Sequence, residues 1–354
     1  MPRRRKRLDS TLFRLPVDEI RQGLYTDKYF ERTREVLRAD SHSPRVLMQV
    51  SGKSPGFLSG IDEAIAILKL GADDWGALAV HALYEGDQYE AWDTVLTIEG
   101  PYECFAHLET LYLGVLSRRT RICTNTRLLV EAARPKPVLF FGARQDYWAA
   151  QPGDGYAAYA GGASSVSTDA QGTLFGAKGI GTVPHALIAA YDGDTVKATK
   201  AFAAHVDPDV DIIALVDYDN DCVRTSLDVA RALEGRLAGV RLDTSENLVD
   251  RSVLPQMGTF RPTGVNPQLV WNVRNALDAE GFGEVKIVVS GGLNAARVRG
   301  FEDEKAPVDV YAVGTSIMHD GRFDFTGDVV VVDGQPQAKV GRELRPNPKL
   351  DRVK

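Results

Sequence analysis

The sequence predicts an α/β protein: an irregular, incomplete TIM-like α/β barrel, joined to an N-terminal α/β domain (open sheet or sandwich) that the C-terminal segment completes. Three observations carry this expectation. After residue 137, short apolar runs alternate with helical patterns, the rhythm of parallel βα units. A proline-rich break, Arg134-Pro135-Lys136-Pro137, ends a long helical pattern just before that rhythm begins. Late in the chain, Val329-Val330-Val331-Val332 followed by Asp333-Gly334 is a hairpin signal. The expected boundaries are therefore residues 1–136 for the N-terminal domain, 137–321 for the barrel and 322–354 for the returning segment.

The elements follow in order. The first residues, Met1-Pro2-Arg3-Arg4-Arg5-Lys6-Arg7, are basic with no apolar run behind them, so they predict a surface arm, with residues 1–20 partly disordered, and not a signal peptide. Val46–Val50 and Val95–Gly100 are strands. Ile61–Leu70 is a helix with Ile61, Ala64, Ile65 and Leu68 on one face, and His107–Ala133 is one long helix or two in series. In the barrel, strands are expected at Val138–Phe141, around Val183, at Ile212–Val216, Gly239–Leu242, Val285–Val289 and Val308–Val313. Ile212–Val216 shows no alternation, as a strand buried on both faces requires. Helical runs over Ser226–Leu237 and Pro267–Glu280, with a shorter one before Val308, separate the later strands. An open doubly wound sheet is the alternative, weakened because no dinucleotide-type glycine fingerprint opens the first unit.

Composition narrows the function classes. With 354 residues, 44% hydrophobic and 25% charged, the chain can bury a large core without staples. A net charge of −6 argues against a general nucleic-acid surface, and no stretch reaches membrane-span length. Cys104, Cys123 and Cys222 form no CxxC pair, so neither a disulfide framework nor structural zinc is expected, and a reducing cytoplasm is.

Barrel enzymes place ligand groups at the carboxyl ends of their strands. Phe141-Gly142-Ala143-Arg144 offers a guanidinium after a tight turn. Gly181-Thr182-Val183-Pro184-His185-Ala186 places one of six histidines where a strand gives way to a helix. In Asp217-Tyr218-Asp219-Asn220-Asp221, Asp217 and Asp219 share a face if the strand persists and suit a hard divalent cation; turn formation and helix capping are the plainer uses, above all for Asp221. Arg241 and Asp243 are two apart, so both face one side. Ser290-Gly291-Gly292 and Gly314-Thr315-Ser316 are consecutive small-residue loops whose backbone N–H groups can approach phosphate oxygens. Together these groups suit a sugar phosphate carrying further phosphates and magnesium.

The ordered set of motifs resembles the nicotinate phosphoribosyltransferase family of type II phosphoribosyltransferases. It comprises Tyr25-Thr26-Asp27-Lys28-Tyr29-Phe30, Ile98-Glu99-Gly100-Pro101-Tyr102, Phe141-Gly142-Ala143-Arg144, Gly181–Ala186, Arg241-Leu242-Asp243, Ser290-Gly291-Gly292 and Gly314-Thr315-Ser316. The Tyr29-Phe30-Glu31-Arg32-Thr33 stretch and the short length resemble the compact archaeal-type branch. The resemblance implies synthesis of nicotinate mononucleotide and pyrophosphate from nicotinate and phosphoribosyl pyrophosphate. It further implies magnesium, ATP as co-substrate, and a homodimer or higher homo-oligomer with shared sites.

It also implies roles for residues. Asp27 and Tyr29 would reach into the neighbouring subunit's site, Tyr29 stacking on the pyridine and Phe141 covering its other face. Arg144 and Arg241 would hold the carboxylate and phosphates. Asp217 and Asp243 would serve the ribose or magnesium. Ser290, Gly291, Gly292, Gly314 and Thr315 would cradle phosphate, and His185 would be the histidine that ATP phosphorylates. Two departures stand out. Thr244-Ser245-Glu246 replaces the Ser-Gly that many relatives carry, and no cysteine follows Cys222, so the zinc element of some relatives is not expected. Rival readings are a decarboxylating quinolinate phosphoribosyltransferase, for which Ser117-Arg118-Arg119-Thr120-Arg121 is the relevant basic cluster, a nicotinamide phosphoribosyltransferase, and a nucleotide-binding barrel without turnover.

Overall fold

The computed structural model describes residues 6–258 and 260–354, so part of the basic arm, Met1–Arg5, lies outside the described residues. In chain order, β1 (Arg45–Gly52), β2 (Gly56–Phe57), β3 (Ala79–Ala82), β4 (Gln88–Tyr89) and β5 (Thr94–Pro101) precede the long helix Glu109–Ala133. After it come β6 (Val138–Phe140), β7 (Ser165–Val166), β8 (Ile212–Leu215), β9 (Leu237–Leu242), β10 (Lys286–Val289) and β11 (Val310–Val313). Last are β12 (Phe325–Val332), β13 (Gln335–Pro336) and β14 (Asp351–Arg352). The described chain forms two compact units. One holds the residues up to Arg127 with Pro152–Gly161 and His319–Lys354; the other holds Leu128–Gln151 and Gly162–Met318.

In the first unit, an antiparallel sheet has the order β13-β12-β1-β5-β3-β14. The hairpin that Asp333-Gly334 announces thus adds β12 to the edge of β1, pairing Val46 with Val332. Apolar residues from β1 and β5, including Met48, Val50, Leu96 and Ile98, bury against Ile61, Ile65 and Leu68 of the helix Ile61–Gly71. That helix has no local capping side chain. Glu85 does the work from a distance: its carboxylate accepts from Ser59 Oγ at 2.6 Å and from the backbone N–H of Gly60 and Asp62 at 3.1 and 3.0 Å. Burial, reinforced by Asp62, pushes the Glu85 carboxyl up to about 7.

From Lys6 onward the described residues make specific contacts with the first unit. Arg7 pairs with buried Asp62 at 3.0 Å, donates to the Ala82 and Leu83 carbonyls, and lies 4.1 Å from the Tyr84 ring centre. Short helices follow at Ser10–Leu12 and Val17–Arg21. A polar, basic sequence looks unstructured until a buried carboxylate claims one of its arginines.

The second unit is a curled half-barrel of six strands in the order β7-β6-β11-β10-β9-β8, every neighbouring pair parallel. Its packing helices include Thr195–His205, Cys222–Leu233, Pro267–Ala279 and Ala295–Asp303. One expected strand is absent: Val183 is buried loop. It makes a single ladder-like bond, from its N–H to the Ile213 carbonyl at 3.0 Å, and Pro184 has no N–H with which to continue. The two-residue β7 takes its place in the strand count. The structural division also differs from a boundary at 136, because it falls inside the helix Glu109–Ala133. Pro152–Gly161 belongs with the first unit, since buried Asp154 accepts from both Arg118 and Arg119 of that helix. No helix among the described residues is long and apolar enough to cross a membrane.

Parallel order has one consequence for chemistry. It sets the carboxyl ends of β6, β11, β10 and β9 side by side, so the loops that follow them share one edge.

Candidate active site

At that edge lies a cavity of about 400 Å³. It gathers Phe141 and Arg144 from the loop after β6, Arg241 from β9 and Asp243 just after it, Ser290, Gly291 and Gly292 after β10, and Gly314 and Thr315 after β11. Nine of the residues expected from sequence therefore share one chamber.

Arg241 is its most informative side chain. It is only 15% exposed; Nη1 donates to Thr182 Oγ1 at 2.8 Å, and Nη2 lies 3.5 Å from Asp243 Oδ2, too far for a firm bond. Its Nε is buried with no protein acceptor. Burial lowers its pKa and the nearby positive charge of Arg144 acts in the same direction, while Asp243 and Asp217 oppose them. Two guanidiniums facing a cavity, one with an unused buried donor, call for an anion.

Asp243 is held from the neighbouring strand: Ser290 Oγ donates to its Oδ1 at 2.7 Å and to the Leu242 carbonyl at 3.1 Å. Gly314 is required by close approach, because a Cβ there would stand 2.7 Å from the Phe141 carbonyl oxygen and force apart the ends of β11 and β6.

His185 and Asp217 sit beside this chamber and not among its lining residues; Pro184, one residue away, does line it. His185 opens the short helix His185–Ala190, and its Nε2 lies 3.0 Å from Asp217 Oδ1. The imidazole is 46% exposed and the Asp217 side chain 8%. Burial raises the Asp217 pKa, His185 pulls it down, and Asp243 raises it again. Asp217 is thus a partner of His185, beside the ribose or magnesium role that the family resemblance implies for it. Asp219 does not share its face, since β8 ends at Leu215 and Asp219 pairs with Arg224 at 2.9 Å. Asp221 caps the helix Cys222–Leu233 by accepting from Arg224 N–H.

Asp27 and Tyr29 belong to the first unit. Asp27 precedes the helix Lys28–Ala39 and accepts from Thr110 Oγ1 at 2.8 Å; Tyr29 is 61% exposed, its ring 4.2 Å from that of Phe30.

The donor set fits magnesium in one way. Among the described residues no cluster of three or more His, Cys, Asp or Glu could cage a metal. Asp217 and Asp243 feel each other's charge across the site, and magnesium commonly takes one or two carboxylates plus substrate phosphate oxygens.

Sequence reasoning missed Glu246 and Arg297 and gave Thr182 no role. Arg297 bonds both the Glu246 carboxylate and the carbonyls of the Gly291-Gly292 turn. Its only signal in the sequence is a basic residue in the first turn of a helix, where the dipole disfavours one without a local acceptor.

Residues 27–120 match the family model for the N-terminal domain of quinolinate phosphoribosyl transferase, and residues 122–326 that for its C-terminal domain. A nicotinate phosphoribosyltransferase of Mycobacterium tuberculosis is 31% identical over 267 residues, 72% of this chain and 54% of that protein. One of Bacillus subtilis is 25% identical over 249 residues, 67% of this chain and 45% of that protein. The chain thus spans about half the length of these relatives. The crystal structure of a nicotinate-nucleotide pyrophosphorylase from Pyrococcus furiosus matches with a TM-score of 0.81 at 34% identity, covering 96% of this chain and 86% of that one. The human nicotinic acid phosphoribosyltransferase structure matches at 0.68 with 17% identity, covering 90% of this chain and 77% of that one, a likeness of fold.

Proposed function

Since this chain belongs to the quinolinate phosphoribosyl transferase family, we propose that it is a nicotinate phosphoribosyltransferase, forming nicotinate mononucleotide and pyrophosphate from nicotinate and phosphoribosyl pyrophosphate. The observation that carries this reading is the cavity itself: Arg241, with a buried unpaired Nε, and Arg144 face two glycine turns across it. The pyridine nitrogen attacks C1 of the ribose as the bond from C1 to the pyrophosphate oxygen breaks. The protein has little covalent work there. Phe141 covers the pyridine, the guanidiniums hold anionic groups, Asp243 meets the ribose hydroxyls, and the glycine turns bind phosphate oxygens. Magnesium, when bound, would be held by Asp243 with Asp217 and substrate oxygens, and supplies neutralisation of the pyrophosphate charge.

ATP enters through His185. With Nε2–H donating to Asp217, Nδ1 keeps its lone pair. Nδ1 takes the γ-phosphoryl group, ADP leaves, and water later cleaves the phosphohistidine. Asp217 stabilises the positive charge that the imidazole carries meanwhile. We also assign the chain to the compact archaeal-type branch, supported by 34% identity along 96% of its length to the Pyrococcus furiosus protein, and we read it as a cytoplasmic enzyme. The exposed Leu24, Tyr25, Tyr29 and Val36 support a homodimer in which Asp27 and Tyr29 serve the neighbouring subunit.

Quinolinate is the second reading, favoured by the family models. It has a second carboxylate to neutralise. Of the candidate cations, Arg118 and Arg119 are already committed to Asp154 and Glu63, which supports the monocarboxylate, whereas the buried Nε of Arg121 has no partner.

The test is direct. With nicotinate, phosphoribosyl pyrophosphate and magnesium, nicotinate mononucleotide and pyrophosphate should form in equal amounts, faster with ATP. His185→Ala should keep the slow ATP-independent reaction and lose the stimulation. No product with or without ATP overturns the reading; stimulation intact in His185→Ala overturns the phosphohistidine.

A further inference from the structure

We infer that Arg297 is a positioning residue that aims the peptide N–H groups of the Gly291-Gly292 turn into the cavity, and that Glu246 holds it in that pose. The inference rests on the phosphoribosyl-transfer reading. Arg297 lies in the first turn of the helix Ala295–Asp303, where Asn294 caps its backbone N–H at 2.9 Å. Its guanidinium ties together three separate segments. Nη1 donates to the carbonyls of Gly291 at 3.3 Å and Gly292 at 2.7 Å, and to Glu246 Oε1 at 3.0 Å; Nη2 donates to the Val265 carbonyl at 3.0 Å.

The consequence follows from peptide geometry. In a trans peptide the C=O and the following N–H point in opposite directions. When the Gly291 and Gly292 carbonyls turn toward Arg297, the N–H groups of Gly292 and Leu293 turn away from it. Both residues line the cavity, whereas Arg297 lines a separate recess of about 180 Å³. The cation therefore stands behind the turn and sets which edge of two peptides faces the ligand. Positive φ values of +84° and +57° at Gly291 and Gly292 make the pose a glycine one. A Cβ on Gly292 would strike the Glu246 carboxylate and Arg297 together. Glu246 also supplies the charge that lets a half-buried guanidinium stay there.

The test separates positioning from plain charge. Arg297→Lys keeps the cation and loses the planar fork that reaches four acceptors; Arg297→Gln loses both; Glu246→Gln weakens the hold and disturbs the fold least. Calorimetric binding of inorganic pyrophosphate with magnesium is measured beside the KM for each substrate. Arg297→Lys and Arg297→Gln should both weaken pyrophosphate binding and raise the KM for phosphoribosyl pyrophosphate about tenfold to a hundredfold, with the KM for nicotinate within about twofold. Glu246→Gln should shift the same two quantities by a smaller factor, which keeps the idea testable if the arginine variants fold poorly. Wild-type values in Arg297→Lys, or equal changes in both KM values, overturn the inference alone. A wild-type protein that neither binds pyrophosphate nor turns over removes the phosphoribosyl-transfer reading, and the inference with it.

Discussion

Replacing Arg241 with Met removes the charge and the unpaired Nε from the cavity while keeping most of the stem. Within the protein this costs little. The Thr182 bond is lost, but the approach to Asp243 is only 3.5 Å and Asp243 retains Ser290 at 2.7 Å. One such net hydrogen bond is about 1 kcal/mol, and relief of the buried charge offsets part of it. The cost to the bound anion is larger, because a buried charge-assisted partner is worth about 2–5 kcal/mol when one side is truncated. Taking about 3 kcal/mol, kcat/KM for nicotinate should fall roughly 150-fold. The assay is steady-state product formation at saturating phosphoribosyl pyrophosphate, with thermal melts on the same preparations. A kcat/KM within about threefold of wild type at unchanged Tm would refute the assignment of Arg241 to the substrate anion.

Other sites give independent outcomes. Glu109 is buried near Asp328 and Asp27, and burial, more than those charges, pushes its carboxyl from 4.5 up to about 7. The folded chain then holds a proton that the unfolded chain releases between those values, so the group's contribution to stability falls as pH rises through that window. Glu109→Gln should raise stability at pH 8 by up to about 3 kcal/mol, with the gain vanishing toward pH 4 in melts; an equal gain at both would contradict the burial argument. Gly314→Ala puts a methyl 2.7 Å from the Phe141 carbonyl, and should cost about 1–3 kcal/mol in denaturant melts together with activity. Asp154→Ala removes one buried carboxylate partner from both Arg118 and Arg119. It should destabilise by about 3–5 kcal/mol in urea unfolding, and a neutral result would mean those arginines find other partners.

What sequence could and could not foretell follows from the range of the forces involved. The βα rhythm exposes β6 and β8 to β11 because buried parallel strands need continuous apolar runs. The hairpin at Asp333-Gly334 is legible because a positive φ at both residues demands those types. β7 is invisible, since two residues carry no period, and Val183 misleads because apolarity does not reveal that Pro184 ends the ladder. At the site, Arg241, Asp243 and the glycine turns are legible because they end strands. The His185–Asp217 pair joins residues 32 apart in sequence, and Arg297–Glu246 joins residues 51 apart. Such partners are chosen by the packed sheet, not by spacing. In the sequence Glu246 stands out only as a departure from Ser-Gly, with no role attached; the structure gives it Arg297 as a partner.

The most direct measurement offers the enzyme nicotinate, nicotinamide and carboxyl-labelled quinolinate together, with phosphoribosyl pyrophosphate, magnesium and ATP, and follows the nucleotides and released carbon dioxide. The account predicts nicotinate mononucleotide drawn from nicotinate, with no labelled carbon dioxide and little nicotinamide mononucleotide. Labelled carbon dioxide released in step with product would contradict it and make quinolinate the substrate.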